Sequence, residues 1–294
     1  MRELVIISGN GGTGKTSITA AFASLAPSAV LADCDVDAPD LHLLASPEVE
    51  QEHPFRGGRK ARIEPGRCTG GGRCVGVCRF EAIRVAEAED VAPGVCEVDP
   101  IACEGCSACV RVCPARAIRF EPVTSGAWFV SRTRLGPMAH ARLEPGEDNS
   151  GKLVGVIRRE ARELARRTGR DLVLCDGSPG VGCPVIASLT GADRALVVAE
   201  PTRSGRHDAL RVIELARQLG VPAALCVNRW DLSPEQTRQL ERQAAAAGAE
   251  LVGRVREDPA FVQAQLHQQT LVEFASADSP SRRDVRQLWQ RFGG

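Results

Sequence analysis

The sequence predicts an α/β protein with a doubly wound, mostly parallel sheet and an inserted α+β domain. Short apolar segments alternate with helix-like segments along most of the 294 residues, which is typical of a parallel sheet covered by helices on both faces. Eight of the twelve cysteines fall within positions 68–113, so this segment differs in composition from the rest. We therefore expect a large domain in two parts, 1–57 and 122–294, and an insert at 58–121.

Composition indicates an ordinary soluble protein. Charged residues make up 25% of the chain and hydrophobic residues 43%, with 37 basic and 37 acidic side chains, so bulk charge favours neither nucleic acid nor membrane. No apolar run is long enough to span a bilayer or to act as a signal peptide. We expect a cytoplasmic protein that binds neither nucleic acid nor membranes, in which clustered cysteines indicate metal rather than disulfides.

A phosphate-binding loop follows the first apolar run, LVII at 4–7, and precedes a helix-like segment. The order strand, glycine loop, helix is the context in which G-x-x-x-x-G-K-[ST] binds phosphate, because backbone N–H groups and the helix N-terminus face the anion. Lys15 is expected to contact the β- and γ-phosphates and Thr16 to hold Mg²⁺. The predicted binding residues are Gly9, Asn10, Gly11, Gly12, Thr13, Gly14, Lys15, Thr16 and Ser17.

Carboxylates stand at the ends of two further apolar segments. The segment at 29–35 ends in Asp33 and Asp35, and the segment at 171–176 ends in Asp176. The carboxyl ends of parallel strands face the ligand crevice of such a sheet, so Asp176 is expected to bind Mg²⁺ through water and the N–H of Gly180 to lie near the γ-phosphate. Three more strands are predicted at 195–200, 223–228 and 251–255.

The segments GNGGTGKT, LADCDVDAPDLH, CDGSPGVGCPV and VNRWD resemble the MinD/ParA/Mrp group of P-loop ATPases, whose members include the nitrogenase iron protein. The resemblance implies a nucleotide-dependent dimer, either a homodimer or a heterodimer of paralogues, with ATP and Mg²⁺ at its interface. It also implies that Lys15, Asp33 and Asp35 are catalytic and that Asn228 lies near the adenine.

One position departs from this family. The family loop begins G-K-G-G, with a signature lysine that reaches the partner subunit's phosphates, and Asn10 replaces that lysine here. A cation acting in trans on phosphoryl transfer is worth roughly 10³ to 10⁵ in rate, so ATP hydrolysis is expected to be slow. Lys152 and Arg203 are candidates for the missing charge, although Lys152 also fits a solvated loop.

The insert contains a repeat at a spacing of 35 residues, in which CRFEAIRV at 78–85 matches CPARAIRF at 113–120. The second half carries the run C-x2-C-x2-C-x3-C-P, which is typical of bacterial ferredoxins and unusual for zinc sites. In two-cluster ferredoxins the fourth cysteine of each run ligates the other cluster. One complete [4Fe-4S] site is therefore predicted, with ligands Cys78, Cys103, Cys106 and Cys109.

The other half-site lacks one ligand, because Gly71 stands where the repeat predicts a cysteine. Cys68, Cys74 and Cys113 remain, and three thiolates fit a [3Fe-4S] cluster or a labile [4Fe-4S] cluster with one open iron. A half-site without metal is the third alternative. Cys96 is the nearest additional thiol, but its place in the alternation VCEV favours a strand residue with a structural role.

The cysteine insert narrows the resemblance to MinD-superfamily ATPases that carry an inserted two-cluster ferredoxin domain. The expected function is an ATP-binding iron–sulfur protein that couples nucleotide state to electron transfer or metallocluster maturation, for a redox partner or metalloprotein client that the sequence does not identify. Two alternatives stay open. One is a positioning or scaffold switch with redox-sensing clusters, and the other is a ferredoxin-type electron carrier on a non-hydrolysing domain.

Three further patterns give structural expectations. The C-terminal stripe of Val285, Leu288, Trp289 and Phe292 favours a final core helix. The arginine-rich segment 155–170 favours a solvated helix face. Four cysteines outside the insert are expected to be packed in the interior: Cys34, Cys175, Cys183 and Cys226.

Overall fold

The structure is a computed structural model that describes residues 1–87, 92–147 and 150–294. The chain divides into two compact units. The first unit comprises Met1–His53, Trp128–Arg142 and Ser150–Gly294, and the second comprises Pro54–Ala127 and Leu143–Asn149. The insert predicted at 58–121 lies within the second unit.

The described strands occur along the whole chain. They are β1 (Arg2–Ser8), β2 (Ala29–Asp33), β3 (Glu48–Phe55), β4 (Gly58–Ile63), β5 (Ile83–Val85), β6 (Cys96–Val98), β7 (Ile118–Val123), β8 (Gly126–Thr133), β9 (Gly136–Leu143), β10 (Leu172–Pro179), β11 (Arg194–Ala199), β12 (Ala223–Asn228) and β13 (Glu250–Val255).

The described helices lie between these strands along the chain and after the last of them, with α3 and α4 in the second unit and the others in the first. They are α1 (Lys15–Leu25), α2 (Leu41–Ala45), α3 (Arg73–Val77), α4 (Ala108–Val112), α5 (Ser150–Thr168), α6 (Cys183–Leu189), α7 (Arg203–Gln218), α8 (Pro234–Ala246), α9 (Ala260–Leu266), α10 (Leu271–Phe274) and α11 (Pro280–Phe292), with short 3-10 turns at Pro65–Arg67 and Trp230–Leu232.

The main sheet has nine strands in the order β13-β12-β11-β1-β10-β2-β9-β8-β3. The pairs from β13 to β9 are parallel, and the central strands are almost wholly buried because helices cover them. The prediction of an α/β fold with a large, mostly parallel sheet is confirmed. The six strands predicted for this sheet are present, whereas β3, β8 and β9 were not predicted.

The C-terminal helix α11 packs on the core of the first unit. Val285, Leu288 and Phe292 are buried, and the ring of Trp289 lies 4.9 Å from that of Phe22 in α1. The apolar stripe of α11 therefore packs against the core of the first unit, as the sequence analysis expected. Within the described residues, no helix combines the length and apolar character that crossing a membrane requires.

The sequence analysis expected the arginines of α5 to form a solvated face, but two of them pair with a buried acid. Arg158 is only 4% exposed, and its Nε donates to Oε1 of buried Glu3 at 2.5 Å. Arg162 donates to the other oxygen of Glu3 at 2.6 Å, and Arg158 also donates to the carbonyl of Thr190 at 2.8 Å. Charge patterning alone could not predict this pairing, because Glu3 lies 155 residues away in β1.

Three of the four cysteines expected in the interior are buried. Cys34, Cys175 and Cys226 lie in or beside central strands with no exposed surface. Cys183 differs, since it is exposed at the start of α6. Its apolar neighbours in the sequence had favoured packing, but the first turn of α6 presents its side chain to solvent.

The second unit combines two antiparallel strand pairs, β4 with β7 and β5 with β6, and the short helices α3 and α4. The 35-residue sequence repeat is also a backbone repeat, because three positive φ angles recur at that spacing. The pairs are Gly70 with Gly105 (72° and 62°), Gly72 with Ser107 (64° and 61°) and Glu81 with Arg116 (53° and 49°). Ser107, Glu81 and Arg116 keep this unfavourable backbone region without being glycine, so the repeated loop geometry is specified by its surroundings.

Removal of the buried guanidinium should destabilise the first unit. We expect Arg158→Ala to lower the free energy of unfolding by about 3 kcal/mol or more, because it leaves the buried Glu3 carboxylate short of a partner. Arg159→Ala, at an exposed position beside Glu160, is the matched control and should change it by less than about 0.5 kcal/mol. Urea denaturation of both variants measures the difference, and equal effects would contradict the assignment.

Candidate nucleotide site and cysteine pocket

The glycine loop links β1 to α1 in the first unit. Gly12 and Gly14 have φ angles of 80° and 85°, which glycine adopts without strain. Gly14 is also closely packed, since a Cβ there would lie 2.5 Å from Nδ2 of Asn228. The loop therefore requires glycine at position 14 for both reasons, and it turns directly into the first N–H groups of α1.

Lys15 is the centre of a buried charge cluster. Its Nζ lies 2.9 Å from Oδ1 of Asp176 and 3.3 Å from Oδ2 of Asp35. Burial opposes the charge on Lys15, but the neighbouring carboxylates Asp176 and Asp35 outweigh it and raise the pKa of the ammonium. The cation is thus held charged at the mouth of the loop.

Asp33 is buried beside the same cluster. The registers of β10 and β2 pair Asp176 with Asp33, so the two strand ends bring these carboxylates together. Burial, and then the charge of Asp176, raises the pKa of Asp33 well above its ordinary value. Burial also raises the pKa of Asp35, although Lys15 opposes that rise. Three acids around one lysine leave an excess of negative charge that a further cation would relieve.

Two threonines complete the hydrogen bonding of Asp176. Thr16 donates to its Oδ2 at 2.7 Å, and Thr19 donates to its Oδ1 at 3.0 Å. Both threonines lie in α1, one and four residues after Lys15. The hydroxyl of Thr16 and a carboxylate oxygen of Asp176 therefore lie side by side, which is the oxygen chemistry that Mg²⁺ prefers.

Two buried polar atoms in this region have no hydrogen-bond partner among the residues that the structure describes. They are Oδ2 of Asp33 and Oγ1 of Thr13 in the glycine loop. A buried polar atom without a partner costs free energy of about 1 to 3 kcal/mol. Their positions in the loop and at the end of β2 fit a site that is completed by a bound polar ligand.

A cleft of about 1050 Å³ opens beside the loop. Its lining contains Gly11, Gly12, Thr13, Gly14, Lys15, Thr16, Ser17, Asp35 and Asn228, together with side chains from α9 such as Phe261. Asn228 thus lines the cleft. Its Nδ2 also donates to the carbonyl of Thr13 at 2.8 Å, so the same side chain holds the loop.

Three predicted contacts are placed differently. Gly9 and Asn10 do not contribute to the described lining of the cleft. Gly9 instead packs on α7, where a Cβ would lie 2.5 Å from the backbone of Asp208. The N–H of Gly180 donates to the carbonyl of Ser8 at 2.9 Å, so in this conformation it does not point to a free phosphate position.

The predicted replacements for the signature lysine also have definite places. Lys152 is exposed in the first turn of α5, not in a loop, and Arg203 is exposed at the first residue of α7. The positive φ angles of the glycine loop belong to Gly12 and Gly14, so the fold does not need the left-handed geometry that asparagine tolerates. Asn10 is therefore a change of charge rather than of loop shape.

The second unit contains a small pocket lined by Cys78, Cys103, Cys106 and Cys109, which we call the cysteine pocket. Cys109 is buried, and burial together with the nearby thiols of Cys103 and Cys106 raises its pKa to about 11. Cys78 comes from the first half of the repeat and the other three from the second. The structure therefore brings together the four residues that the repeat assigned to one site.

The remaining thiols group in the other half of the repeat. Cys74 and Cys96 are buried in the apolar core of the second unit. Burial, together with the nearby thiols of Cys74 and Cys68, raises the pKa of Cys96 to about 11. Cys113 packs against the same core and accepts a hydrogen bond from the N–H of Ala117. We call Cys68, Cys74 and Cys96 the first-half thiols.

No three His, Cys, Asp or Glu side chains among the described residues are arranged to hold a single metal ion. The sequence analysis missed one side chain of the nucleotide site, the hydroxyl of Thr19, whose position four residues after Lys15 was the available signal. Cys96 is, as expected, a buried strand residue at the start of β6.

Comparisons with known proteins agree with this geometry. Residues 4–272 match the family model of the CobQ/CobB/MinD/ParA nucleotide binding domain. An uncharacterised protein of Methanocaldococcus jannaschii is 36% identical over 233 residues, which cover 77% of this chain and 78% of that protein.

Two solved structures share the fold at low sequence identity. The cell division ATPase MinD of Pyrococcus furiosus has a TM-score of 0.57 and 17% identity, covering 99% of this chain and 98% of that one. The septum site-determining protein MinD of Pyrococcus horikoshii, complexed with Mg-ADP, has a TM-score of 0.56 and 16% identity, covering 98% and 93%. With a family model that spans most of its length, this chain belongs to the CobQ/CobB/MinD/ParA family of nucleotide-binding domains.

Proposed function

We propose that this protein is an ATP-dependent iron–sulfur protein. The nucleotide bound to its first unit would control electron transfer or metallocluster maturation by its second unit, which contains the cysteine pocket. The observation that carries the proposal is the cysteine pocket: four thiols from two halves of a repeat line one cavity in a chain whose other unit is a nucleotide-binding domain. Neither family membership nor fold likeness specifies this reaction.

The nucleotide part of the proposal rests on the charge cluster. Gly11 to Ser17 would surround the phosphates with N–H groups, and Lys15 would face the β- and γ-phosphates. Thr16 and Asp176 would hold Mg²⁺, which supplies positive charge to the phosphate oxygens. The unpartnered Oδ2 of Asp33 suits a contact with metal-bound or attacking water. The related MinD from Pyrococcus horikoshii was solved with Mg-ADP.

A phosphate would compete for Lys15. Its Nζ contacts both Asp176 and Asp35, and at least one of these contacts has to weaken when a phosphate oxygen approaches. Asp35 is the more exposed partner, so it is the one expected to be released. Asp35 begins the segment that leads through α2 into β3, and β3 leads into the second unit. Nucleotide state would thus be transmitted along the chain by the freed 35–40 segment.

The iron–sulfur part rests on the donor set. Four thiols from the two halves, with the crossed arrangement Cys78 plus Cys103, Cys106 and Cys109, match the ligation of a two-cluster ferredoxin. A cuboidal cluster has one iron at each thiolate, so its ligands surround a cluster instead of converging on one ion. When bound, such a cluster supplies one-electron transfer at low potential. Buried Ile83 and half-buried Phe120 also line the pocket and would cover part of the cluster.

The proposed assembly is a dimer of identical chains or of paralogues. The basis is the resemblance to the MinD/ParA/Mrp ATPases, which implies that ATP lies at a subunit interface. Asn10 leaves the loop without the cation that would act in trans. We therefore propose slow ATP hydrolysis, with ATP binding as the main event. The state of the second unit would determine whether the protein binds its redox partner or metalloprotein client.

Two alternatives each have one observation in their favour. The fold likeness to MinD cell division proteins favours a nucleotide-dependent positioning switch, in which the clusters only sense redox state. A ferredoxin-type carrier on a non-hydrolysing domain is the other alternative, and Asn10 favours it. Iron content does not separate these possibilities from the main proposal, whereas coupling between ATP and the cluster does.

The cysteine pocket should bind iron. Protein purified without oxygen is expected to contain at least about four irons per chain, and Cys106→Ser should remove about four of them because it deletes one thiolate of the pocket. Cys183→Ser, at an exposed cysteine outside the second unit, is the control and should leave the iron unchanged. Iron and acid-labile sulfide analysis measures both, and iron-free wild-type protein would contradict the proposal.

Mg-ATP should change the accessibility of the cluster. We expect the rate at which a ferrous chelator removes iron to differ by about fivefold or more with and without Mg-ATP, the lower range of typical coupling free energies. Lys15→Ala, which loses the cation facing the phosphates, should abolish the difference. Equal rates in wild-type protein that binds ATP by calorimetry would favour the uncoupled carrier.

Restoring the absent cation should raise turnover. We expect Asn10→Lys to increase ATP hydrolysis by about tenfold or more, since a cation in trans contributes roughly 10³ to 10⁵ in rate in related reactions. Asn10→Ala serves as the control and should stay near the wild-type rate. Phosphate release at saturating ATP measures turnover. An unchanged rate in Asn10→Lys protein that still binds ATP would show that another group already supplies the charge.

A further inference from the structure

The first half of the cysteine repeat has only three of the four expected thiols, Cys68, Cys74 and Cys113, because Gly71 occupies the fourth position. Lack of space for a side chain does not explain why residue 71 is a glycine. A Cβ at Gly71 would meet no atom within 4 Å, and Gly71 is not among the residues with a positive φ angle. A cysteine would therefore fit there, so its absence needs another explanation.

Cys96 lies where a replacement ligand is needed. It is the first residue of β6, which pairs with β5 through Val85, and its side chain is 2% exposed in the core of the second unit. Cys74 is buried in the same small core, and after burial itself the nearby thiols of Cys74 and Cys68 help to raise the pKa of Cys96. Cys68 and Cys74 are the two thiols that flank Gly71 in the sequence run.

The turn before Cys96 is fixed against the first cysteine run by backbone contact. Gly70 and Gly94 approach so closely that a Cβ on Gly70 would lie 3.2 Å from the carbonyl oxygen of Gly94 and 3.4 Å from its Cα. Both residues have positive φ angles, 72° and 83°. The Sγ of Cys96 also lies 3.7 Å from the carbonyl oxygen of Gly94. The position of Cys96 beside this run is therefore built into the fold at two glycines.

The other half of the repeat packs differently at the corresponding position. Gly105 is the repeat partner of Gly70, and a Cβ there would meet the carbonyl oxygen of Arg59 in β4. That half retains its own second cysteine, Cys106. The contact with the turn carrying Cys96 thus accompanies the half that has lost its second cysteine.

A purely structural thiol is a weaker explanation for Cys96. Buried Cys226 of the first unit lies in a strand within an aliphatic core. Cys96 instead shares a small core with Cys74 and Cys109. A small hydrophobe in that place would pack equally well, whereas ligation requires a thiol.

We propose that Cys96 takes the place of Gly71 as the fourth thiolate of the first half-site, so that Cys68, Cys74, Cys96 and Cys113 hold a second [4Fe-4S] cluster. This inference rests on the proposed iron–sulfur function. Each of the four thiols forms one bond from sulfur to iron and releases its proton to solvent when the cluster, assembled from iron and sulfide, is bound.

Iron and sulfide analysis with EPR of anaerobic protein, oxidised and reduced, tests this. Wild-type protein is expected to hold about eight irons and two reduced [4Fe-4S] centres. Cys96→Ala should lose between about one and four irons, with an oxidised three-iron EPR signal or no first-half signal at all. Cys226→Ala, which removes a buried thiol from the first unit, is the matched control and should keep about eight.

The double substitution Gly71→Cys with Cys96→Ala tests the same point by rescue. It returns a thiol to the position that the repeat predicts, into space that the structure leaves open, and should restore about eight irons. It also guards against a folding defect, since it contains the same loss at position 96. An iron-depleted double variant that is folded by circular dichroism would overturn the proposal.

The remaining outcomes separate this inference from the proposed function. About four irons in wild-type protein, lost with Cys106→Ser but unchanged by Cys96→Ala, would overturn the role of Cys96 alone. So would about seven irons with a three-iron signal that Cys96→Ala does not alter, or one zinc ion lost on that substitution. Wild-type protein without iron would instead overturn the proposed function.

Discussion

The contact of Lys15 with Asp176 and Asp35 organises the first unit. The sheet places Asp176 and Asp33 in register at adjacent strand ends, and three buried carboxylates at one edge would repel one another without a cation. Lys15 enters this cluster because the glycine loop turns at Gly12 and Gly14 and starts α1 at that point. The glycine loop, the register of β10 with β2 and the start of α1 therefore together place one lysine among three acidic side chains. This cluster has more acidic than basic groups.

The second unit depends on a different constraint, the duplication of a short backbone pattern. The positive φ angles recur even at Ser107, Glu81 and Arg116, where an L side chain makes them costly. Glycine preference alone therefore does not account for the conformation of the two loops, although glycine occupies the other three of the six positions. A duplicated scaffold of this kind can change one ligand, because the strands and helices hold the rest of each half in place.

The sequence predicted the parts whose signals are local. The strand, loop and helix around Lys15 are adjacent in the chain, and each cysteine run has its own spacing, so both could be read without knowing the fold. The partners of Arg158 and Cys96 could not, because Glu3 and Cys68 are distant in sequence and come close only through the sheet and the repeat. Strand β3 carries mostly polar, exposed residues, so it lacked the apolar run that identified the central strands. Strand β8 does contain such a run, AWFV at 127–130, which the sequence analysis did not use.

Gly71 and Asn10 are comparable departures from two strong motifs, yet the structure treats them differently. At Gly71 the lost thiol has a buried neighbour, Cys96, whose turn is fixed at Gly70 and Gly94. At Asn10 the described residues give no equally close replacement in the loop, since Lys152 and Arg203 are exposed in the first turns of other helices. In the proposed function, a missing thiolate would leave a cluster incomplete within one chain, whereas a cation acting in trans would be needed only where two chains meet. Under that proposal, the cluster ligands are the part that one chain has to complete by itself.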